Sequence, residues 1–380
     1  MPKIFQVFNE GSIKKAVFSF FPYQTSGKTF AWWDYFPSKI TEYLEKTGIH
    51  HRIYYRNYID GTKGSNDGRF KATQSQIENP IWVWNNIRKD VKQYDRVIVH
   101  SHIAAKPLIN GLLIFNSKFN NNTRWVMTDH DLWAPVNISQ AKMRVRSFLR
   151  GCGFLPDIVL GCSQASRERL KHIYGKKNTD YIYNGIQLPE VTSYKEISNK
   201  PTKALFVGRL ESYKGVWDVI KAFEKLQDNL ATLTIVGDGA IYPKVMNYIN
   251  NNKLNGRIQL LGNRKDIYRI MLEHEFAIIP TLYEENCPVV SLEAQSCYLP
   301  CIYTNSGGLP ETQIQGKTGI MIEKNNPDAI INAIKYFQED RSRFNQMRLD
   351  ARTNSLNFSI DKMAKEYCDL YLKVFNGENI

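Results

Sequence analysis

Residues 204–215 read ALFVGRLESYKG, a short apolar run that leads directly into a glycine-rich, basic loop. The run has the composition of a buried strand, and the residues after the loop have a helical period. Gly208 and Gly215 allow the loop to turn tightly, while Arg209 and Lys214 can approach one anion from its two edges. A planar guanidinium and a compact ammonium together suit a diphosphate. The alternative is a solvated strand-to-helix loop that happens to be basic.

The same alternation of strand and helix runs along both halves of the chain. Short β-branched or aromatic runs alternate with longer segments of helical period, which predicts an α/β fold with parallel sheets. Helices are predicted over 215–227, 328–339 and 360–376. The predicted strands cover residues 15–21, 51–56, 96–100, 124–128, 157–161, 181–183, 204–207, 232–236, 258–261, 276–279, 301–303 and 319–322.

The composition is that of a folded protein with two domains. The chain has 380 residues, which is too long for one ordinary core. Its content of 43% hydrophobic and 23% charged residues argues against disorder. Residues 187–201, QLPEVTSYKEISNKP, lack an apolar period and are the predicted linker. The first residues lack a secretory pattern, and the six cysteines form no CxxC pair. We therefore expect a cytoplasmic protein with free thiols.

The net charge of +13 is unevenly distributed. Residues 1–200 hold 29 Lys and Arg against 16 Asp and Glu, whereas residues 201–380 hold 21 of each. Because a one-sided basic field attracts anions, the first half is expected to meet a nucleic acid, a phosphorylated substrate or an acidic membrane surface. The chain has no nucleic-acid-binding motif, so we do not expect a nucleic-acid partner.

A second anion site is predicted at the start of a helix that follows a buried strand. Pro288 suits the first turn of that helix, and free N–H groups from Val289 to Ser291 would present a positive helix end to phosphate oxygens. Glu285 precedes the helix and Glu293 follows two turns later on a similar face. One carboxylate can thus accept bonds from sugar hydroxyls and the other from a ribose diol. A pair of unrelated surface acids is the alternative.

A third loop, NSGGLPE over residues 305–311, follows another predicted strand. Paired glycines by themselves indicate only a turn. Because the carboxyl ends of parallel strands meet at one edge of a sheet, however, the three loops are expected to lie side by side. Together they predict a phosphate-binding edge.

The order VGRLESYKG, IVGDG, LLGNRKD, Glu-x7-Glu and SGGLPE resembles glycosyltransferase family 4, retaining enzymes with the GT-B fold. The resemblance is dense over residues 200–376 and thinner before them. It implies two Rossmann-like domains that face each other across a cleft: an acceptor domain over 1–190 and a donor domain over 200–358. Residues 359–380 would form a C-terminal helix that returns to the first domain.

The resemblance also implies an activity. A hexose-type sugar would pass from a nucleoside-diphosphate sugar, UDP before GDP, to an acceptor in cell-surface polysaccharide or glycolipid synthesis. Arg209 and Lys214 would neutralise the departing diphosphate, Glu285 would orient the sugar, and His130 would lie beside it as the fourth catalytic residue. Glu293 would hold the ribose. The donor-binding residues implied are Gly208, Arg209, Lys214, Asn263, Arg264, Asp266, Glu285, Asn286, Cys287, Pro288, Val289, Val290 and Glu293.

The acceptor is expected on the basic first half, with Gly27, His102 and Trp133 as candidate contacts. Family members usually have a paired-glycine loop after the first strand, and here that loop supplies only Gly27. A basic amphipathic segment over 142–150 and an aromatic cluster over 32–36 suit contact with an anionic membrane, where the enzyme would reach an anionic or lipid-linked glycan. The alternative for each segment is a core face with solvated cations, and for His130 a packing role.

No cofactor or metal is expected, because two side chains and a helix end already supply positive charge at the diphosphate. Asp129-His130-Asp131 has the form of the DxD motif of metal-dependent transferases, but it lies in the opposite half of the chain. Two rival interpretations remain, a nucleotide-sugar epimerase on the same fold and a non-catalytic partner subunit of another transferase. The first leaves the four donor residues unexplained, and the second would be expected to have lost at least one of them.

Overall fold

The computed structural model describes residues 13–21, 36–55, 85, 91–102, 122–130, 156–174, 178–191, 194–197, 202–227 and 230–378. They form two compact units. The first contains the described residues up to Tyr183 and those from Asp361 onward, and the second runs from Asn184 to Ile360. Each is an α/β unit built on a parallel sheet, which confirms the predicted fold class.

The first unit has a six-stranded sheet in the order β2-β1-β3-β4-β5-β6. Its strands are rich in β-branched and aromatic residues, and β3, β4 and β5 are buried along nearly their whole length, as is usual in parallel sheets. The strands are β1 (Lys15–Phe21), β2 (His50–Tyr55), β3 (Arg96–His102), β4 (Thr123–Thr128), β5 (Ile158–Gly161) and β6 (Thr179–Tyr181), and the first helices are α1 (Phe36–Glu45) and α2 (Gln164–Tyr174).

The second unit has a six-stranded parallel sheet in the order β12-β11-β10-β7-β8-β9. Its strands are β7 (Lys203–Val207), β8 (Thr232–Val236), β9 (Ile258–Leu260), β10 (Phe276–Ile279), β11 (Cys301–Thr304) and β12 (Gly319–Ile322). Its helices are α3 (Val216–Lys225), α4 (Tyr242–Asn251), α5 (Ile267–Leu272), α6 (Val289–Ser296), α7 (Pro327–Glu339) and α8 (Arg341–Ser355). Phe223, Phe276 and Phe337 are fully buried in the core between sheet and helices.

The predicted strands match the observed ones closely, because buried parallel strands are short, uniformly apolar runs. The segment predicted over 181–183 differs most. The strand there is Thr179–Tyr181, since these residues pair with Val159 to Gly161 on β5. The predicted run of aromatic residues continues past the point at which this pairing ends.

The last helix, α9 (Ile360–Asn376), packs on the sheet of the first unit. Tyr371 Oη lies 2.5 Å from His100 Nδ1, and Tyr367 Oη lies 3.2 Å from Thr128 Oγ1. Arg96 donates a hydrogen bond of 2.6 Å to the carbonyl of Phe375 at the end of the helix, where a cation is favourable. Buried tyrosines and one arginine thus attach the end of the chain to β3 and β4.

Candidate active site

The strand order of the second sheet reverses between β7 and β10, which are parallel, hydrogen-bonded neighbours although they are not consecutive in the chain. In open α/β sheets, ligands bind beyond the carboxyl ends of the strands at such a switch point. The loop that carries Arg209 and Lys214 follows β7, and the loop that carries Glu285 follows β10. The topology therefore brings the two predicted anion-binding loops together.

The loop after β7 is held tightly against the end of β10. Ser212–Lys214 form a short 3-10 turn, and Gly215 ends it in the left-handed region with φ of 73°. A Cβ atom on Gly215 would lie 2.0 Å from the carbonyl oxygen of Pro280, so only glycine fits there. The amide of Leu282 donates to the carbonyl of Tyr213 at 2.8 Å and ties the two loops together.

Lys214 and Glu285 meet across these two loops. Lys214 Nζ lies 2.5 Å from Glu285 Oε1, with 21% and 12% of the two side chains exposed. The hydroxyl of Thr281 donates to the same carboxylate oxygen at 2.9 Å. The two residues predicted to act at the leaving group and at the sugar are therefore adjacent, and their partial exposure leaves them open to a ligand.

Small polar side chains beneath the pair were missed by the sequence analysis. The hydroxyls of Thr304 and Ser306 both donate to the carbonyl of Thr281 at 2.7 Å. The amide of Gly308 donates to the carbonyl of Glu285 at 2.8 Å, and a Cβ on Gly307 would lie 2.1 Å from that oxygen. The third predicted loop thus supports Glu285 from below, which gives its paired glycines a steric reason.

A cavity of about 210 Å³ opens beside this pair. It contains Gly208 and Arg209 from the first loop, Glu293 from α6, and Asn263 and Arg264 from the loop after β9. The remaining lining residues are Val207, Val236, Gly237, Asp238 and Ile267. Five of the predicted donor residues therefore line one cavity, which has the mixed polar and apolar wall of a small-molecule site.

Glu293 enters the cavity from the second turn of α6 and is partly exposed. Burial raises the pKa of Glu293 to about 8. Its carboxyl group is therefore largely protonated at neutral pH when the cavity holds no ligand. A neutral carboxyl group there can both donate and accept hydrogen bonds, which suits a diol.

Arg264, which lines the cavity, is paired with a neighbouring acidic residue. Its guanidinium forms a two-point ion pair with Asp266, with Nε–Oδ1 and Nη2–Oδ2 distances of 2.8 and 2.7 Å. The hydrogen bond to Arg264 lowers the pKa of Asp266. The paired guanidinium is a flat group at the rim of the cavity, while Asn263 lines the wall beside it.

The helix that follows Glu285 begins at Val289, and Pro288 is its N-cap residue with φ of −72°. The sequence analysis expected free N–H groups from Val289 to Ser291. For Ser291 this was wrong, because its amide donates to the carbonyl of Pro288 at 3.1 Å. Cys287 is buried, and burial raises the pKa of its thiol to about 12, so it is not a thiolate.

Asn286 and Val290 are half-buried near the same helix end. The side chain of Asn184, at the start of the second unit, donates to the carbonyl of Cys287 at 3.0 Å. This contact fixes the residue just before Pro288. Sequence motifs gave Asn184 no role.

In the first unit, His130 follows β4 at the carboxyl edge of the sheet. Its ring lies between His102 and Cys162. His102 is only 1% exposed and contacts His130, and its predicted contact with an acceptor stays a prediction. Gly27, Trp133, Asp131, residues 32–35 of the aromatic cluster and the segment 142–150 lie outside the described residues. Phe36, the last residue of that cluster, begins α1 and is fully buried, as the alternative of a core face expects.

Two family models match adjacent parts of this chain. The model described as Glycosyltransferase Family 4 matches residues 39–189, and the one described as Glycosyl transferases group 1 matches residues 191–355. Together they cover most of both sheets, from β2 onward, and include every loop described above. The chain belongs to glycosyltransferase family 4.

Solved structures share the fold of this family 4 chain. A glycosyltransferase from Rickettsia africae has a TM-score of 0.72 at 22% identity, with 95% of this chain and 99% of that chain covered. Anabaena HepE in complex with UDP has a TM-score of 0.67 at 18% identity, with 94% and 99% covered. Both likenesses concern the GT-B fold.

Among curated relatives, an Escherichia coli enzyme named UDP-Gal:alpha-D-GlcNAc-diphosphoundecaprenol alpha-1,3-galactosyltransferase is 34% identical over 172 residues, 44% of each chain. The chain spans between about half and six-tenths of the length of the first curated relatives that it matches. Across the described part of the chain, no helix has both the length and the apolar character needed to cross a membrane.

Proposed function

We propose that this chain transfers a hexose-type sugar from a nucleoside-diphosphate sugar to a glycan or glycolipid acceptor, with retention at the anomeric carbon. The observation that carries the proposal is the contact of Lys214 with Glu285 at the switch point, beside the cavity that holds Arg209 and Glu293. One edge of the second sheet thus presents cations for a diphosphate, a carboxylate for sugar hydroxyls and a carboxyl group for a ribose.

The chemistry follows from these charges. A departing nucleoside diphosphate gains negative charge in the transition state, and preorganised cations there lower the barrier. Arg209 and Lys214 supply that charge from the loop after β7, and the start of α6 adds a partial positive charge. We propose that these groups act without a metal ion.

Glu285 has the geometry of an orienting group. It is held by Thr281 and by Gly308, and it also contacts the Lys214 ammonium. When the diphosphate draws Lys214 toward itself, the carboxylate can accept hydrogen bonds from the sugar. The diphosphate oxygen would then assist deprotonation of an acceptor on the same face, which accounts for retention without a protein nucleophile.

UDP is the favoured nucleotide and GDP the next. The support is that one relative is named as a UDP-galactose enzyme and one fold neighbour is described in complex with UDP. The same relative is named for a diphosphoundecaprenol acceptor, which favours a lipid-linked acceptor in cell-envelope synthesis. A cytoplasmic enzyme at the membrane surface, attracted by the basic excess of residues 1–200, fits such an acceptor.

A thermal-shift screen of UDP, GDP, ADP and dTDP, each with and without EDTA, tests the donor site. We expect UDP to raise the melting temperature most, with no effect of EDTA. Nucleotide release from a panel of UDP-sugars then identifies the sugar, and proton NMR of the product gives its anomeric configuration. No shift with any nucleotide, or an inverted product, would contradict the proposal.

Membrane contact has a separate test. Co-sedimentation with vesicles of phosphatidylglycerol should exceed that with phosphatidylcholine vesicles and should fall as salt rises. Binding that is indifferent to both variables would exclude the electrostatic attachment and leave the donor assignment untouched.

A further inference from the structure

The ring of His130 is held between two side chains of the first unit. His130 Nε2 lies 3.2 Å from His102 Nδ1, and His130 Nδ1 lies 3.1 Å from Cys162 Sγ. Both ring nitrogens therefore contact protein groups. A histidine held at both nitrogens has a fixed ring plane.

The three residues come from three neighbouring strands. His102 is the last residue of β3, His130 lies two residues after β4, and Cys162 directly follows β5. Since β3, β4 and β5 are adjacent and parallel, their carboxyl ends meet at one edge of the sheet. That edge is where ligands bind in α/β sheets.

Cys162 and His102, the two neighbours of His130, are buried. Cys162 is 0% exposed and His102 is 1% exposed, whereas His130 is partly exposed. The ring of Phe36 packs edge-on against the ring of His102, with centroids 5.5 Å apart. The ring centroids of His100 and His102 are 3.9 Å apart. His130 is thus the partly exposed member of a polar cluster whose other members are buried.

Two proton arrangements satisfy the contacts. In one, the thiol of Cys162 donates to His130 Nδ1, and His130 Nε2–H donates to His102 Nδ1. In the other, His102 Nδ1–H donates to His130 Nε2, His130 Nδ1–H donates to the sulfur, and the thiol turns to the carbonyl of Asp129 at 3.7 Å. The ring orientation is the same in both.

We infer that Cys162 and His102 are positioning residues that hold the imidazole of His130 in one orientation for its part in sugar transfer. The inference rests on the proposed function, because it assigns a purpose to the placement of His130 in that reaction. Because both side chains are buried, Cys162 and His102 would act on the reaction through His130, which distinguishes them from residues that simply stabilise the fold.

The kinetic test compares Cys162→Ala, Cys162→Ser and the control Cys368→Ala. Cys368 is also buried in the first unit, and its sulfur contacts the carbonyl of Ile40. With the best UDP-sugar of the panel, Cys162→Ala should lower kcat roughly two- to tenfold, the factor expected for one lost hydrogen bond, with little change in KM for the donor. Cys162→Ser should recover part of the loss, and Cys368→Ala should match wild type.

A double-mutant cycle shows whether the effect passes through His130. In the His130→Ala background, Cys162→Ala should cause no further loss of kcat. An equal loss in both backgrounds, or wild-type kcat in Cys162→Ala itself, would overturn the inference.

A spectroscopic readout separates this inference from the proposed function. Long-range proton–nitrogen spectra of the seven ¹⁵N-labelled histidines, with His130 assigned by its absence in His130→Ala, report the ring protonation pattern. The His130 signals should move in Cys162→Ala and stay in place in Cys368→Ala. If wild type transfers no sugar while the His130 signals still respond, the proposed function fails and the contact stands. If wild type transfers sugar and the signals do not respond, the positioning role is wrong.

Discussion

The ammonium of Lys214 lies 2.5 Å from a carboxylate oxygen of Glu285, although 71 positions separate the two residues in the chain. The contact joins the loop after β7 to the loop after β10, the two strands that flank the switch point of the second sheet. Neither residue is deeply buried, so the pair is held mainly by the loops that carry it. A diphosphate that competes for the ammonium can therefore rearrange the pair at modest cost.

Replacement of either partner should abolish sugar transfer and leave the fold intact. For Lys214→Ala and Glu285→Ala we expect kcat to fall by about 100-fold or more, the usual effect of removing a group that stabilises transition-state charge. Lys225→Ala is the control, because Lys225 pairs with Asp328 on an exposed surface of the same unit. Nucleotide release and circular dichroism provide the measurements. Turnover near the wild-type rate in either loop variant would remove the site assignment.

Much of this site could be predicted from sequence because glycines and charges in loops after strands carry a local signal. The loop from Gly208 to Gly215 combines a tight turn with two cations, and the strand before it is uniformly apolar. The topology that makes β7 and β10 neighbours follows from the parallel α/β pattern. The prediction that Arg209, Lys214 and Glu285 lie together therefore rests on the loop sequence and on the parallel α/β pattern.

The side chains that hold the site loops in place have no comparable signal in the sequence. Thr281, Thr304 and Ser306 are small polar residues whose hydrogen bonds join strands far apart in the sequence. Threonine and serine at strand ends are common, so their types do not reveal a network. The same limit applies to Cys162, whose neighbours His102 and His130 lie on other strands and meet it only in the folded sheet.

Glu293 should give the second unit a pH-dependent stability. Burial raises the pKa of Glu293 from the ordinary 4.5 to about 8, so the folded state binds more protons than the unfolded state between these values. The contribution of Glu293 to the free energy of unfolding should therefore be fully present below pH 4.5 and fall as pH rises toward 8, by at most about 1.4 kcal/mol per pH unit. Urea unfolding of the ligand-free protein at several pH values measures this slope.

Glu293→Gln should flatten that slope, because the amide does not titrate. Glu273→Gln, at the exposed end of α5, should keep the wild-type slope. If the Glu293→Gln protein lost stability with pH as steeply as wild type, burial of this carboxyl group would not be the cause.

The glycine beneath Glu285 should be sensitive to a single methyl group. Gly307 has φ of 58°, and a Cβ there would lie 2.1 Å from the carbonyl oxygen of Glu285. Gly316 has φ of 76°, but no atom lies within 4 Å of its Cβ position. Gly316→Ala therefore measures backbone strain alone, about 1 kcal/mol, and Gly307→Ala should cost about 1–3 kcal/mol more because it also creates a clash.

Gly307→Ala should also lower kcat through the displaced Glu285 loop, whereas Gly316→Ala should not. Thermal unfolding and nucleotide release measure the two effects on the same preparations. Equal stability of the two alanine variants would show that the close approach of the loops does not constrain Glu285.

Residues 187–201 were predicted as a linker, and the structure attaches the described part of this segment to the second unit. Arg348, which is only 7% exposed, donates to the carbonyls of Lys195 at 2.8 Å and Tyr298 at 3.1 Å. Arg348→Ala should therefore destabilise the second unit by about 2–3 kcal/mol, since it removes two hydrogen bonds from a charged group. Arg343→Ala, on the same helix, should cost less than about 1 kcal/mol, because the Arg343 side chain contacts Tyr336 and Glu339, which are close to it in the chain. Limited trypsin digestion followed by mass spectrometry gives a local measurement: cleavage after Lys195 should accelerate in Arg348→Ala and stay at the wild-type rate in Arg343→Ala. Equal cleavage in both variants would mean that Arg348 does not hold this segment, and that it behaves as the free linker that its composition indicates.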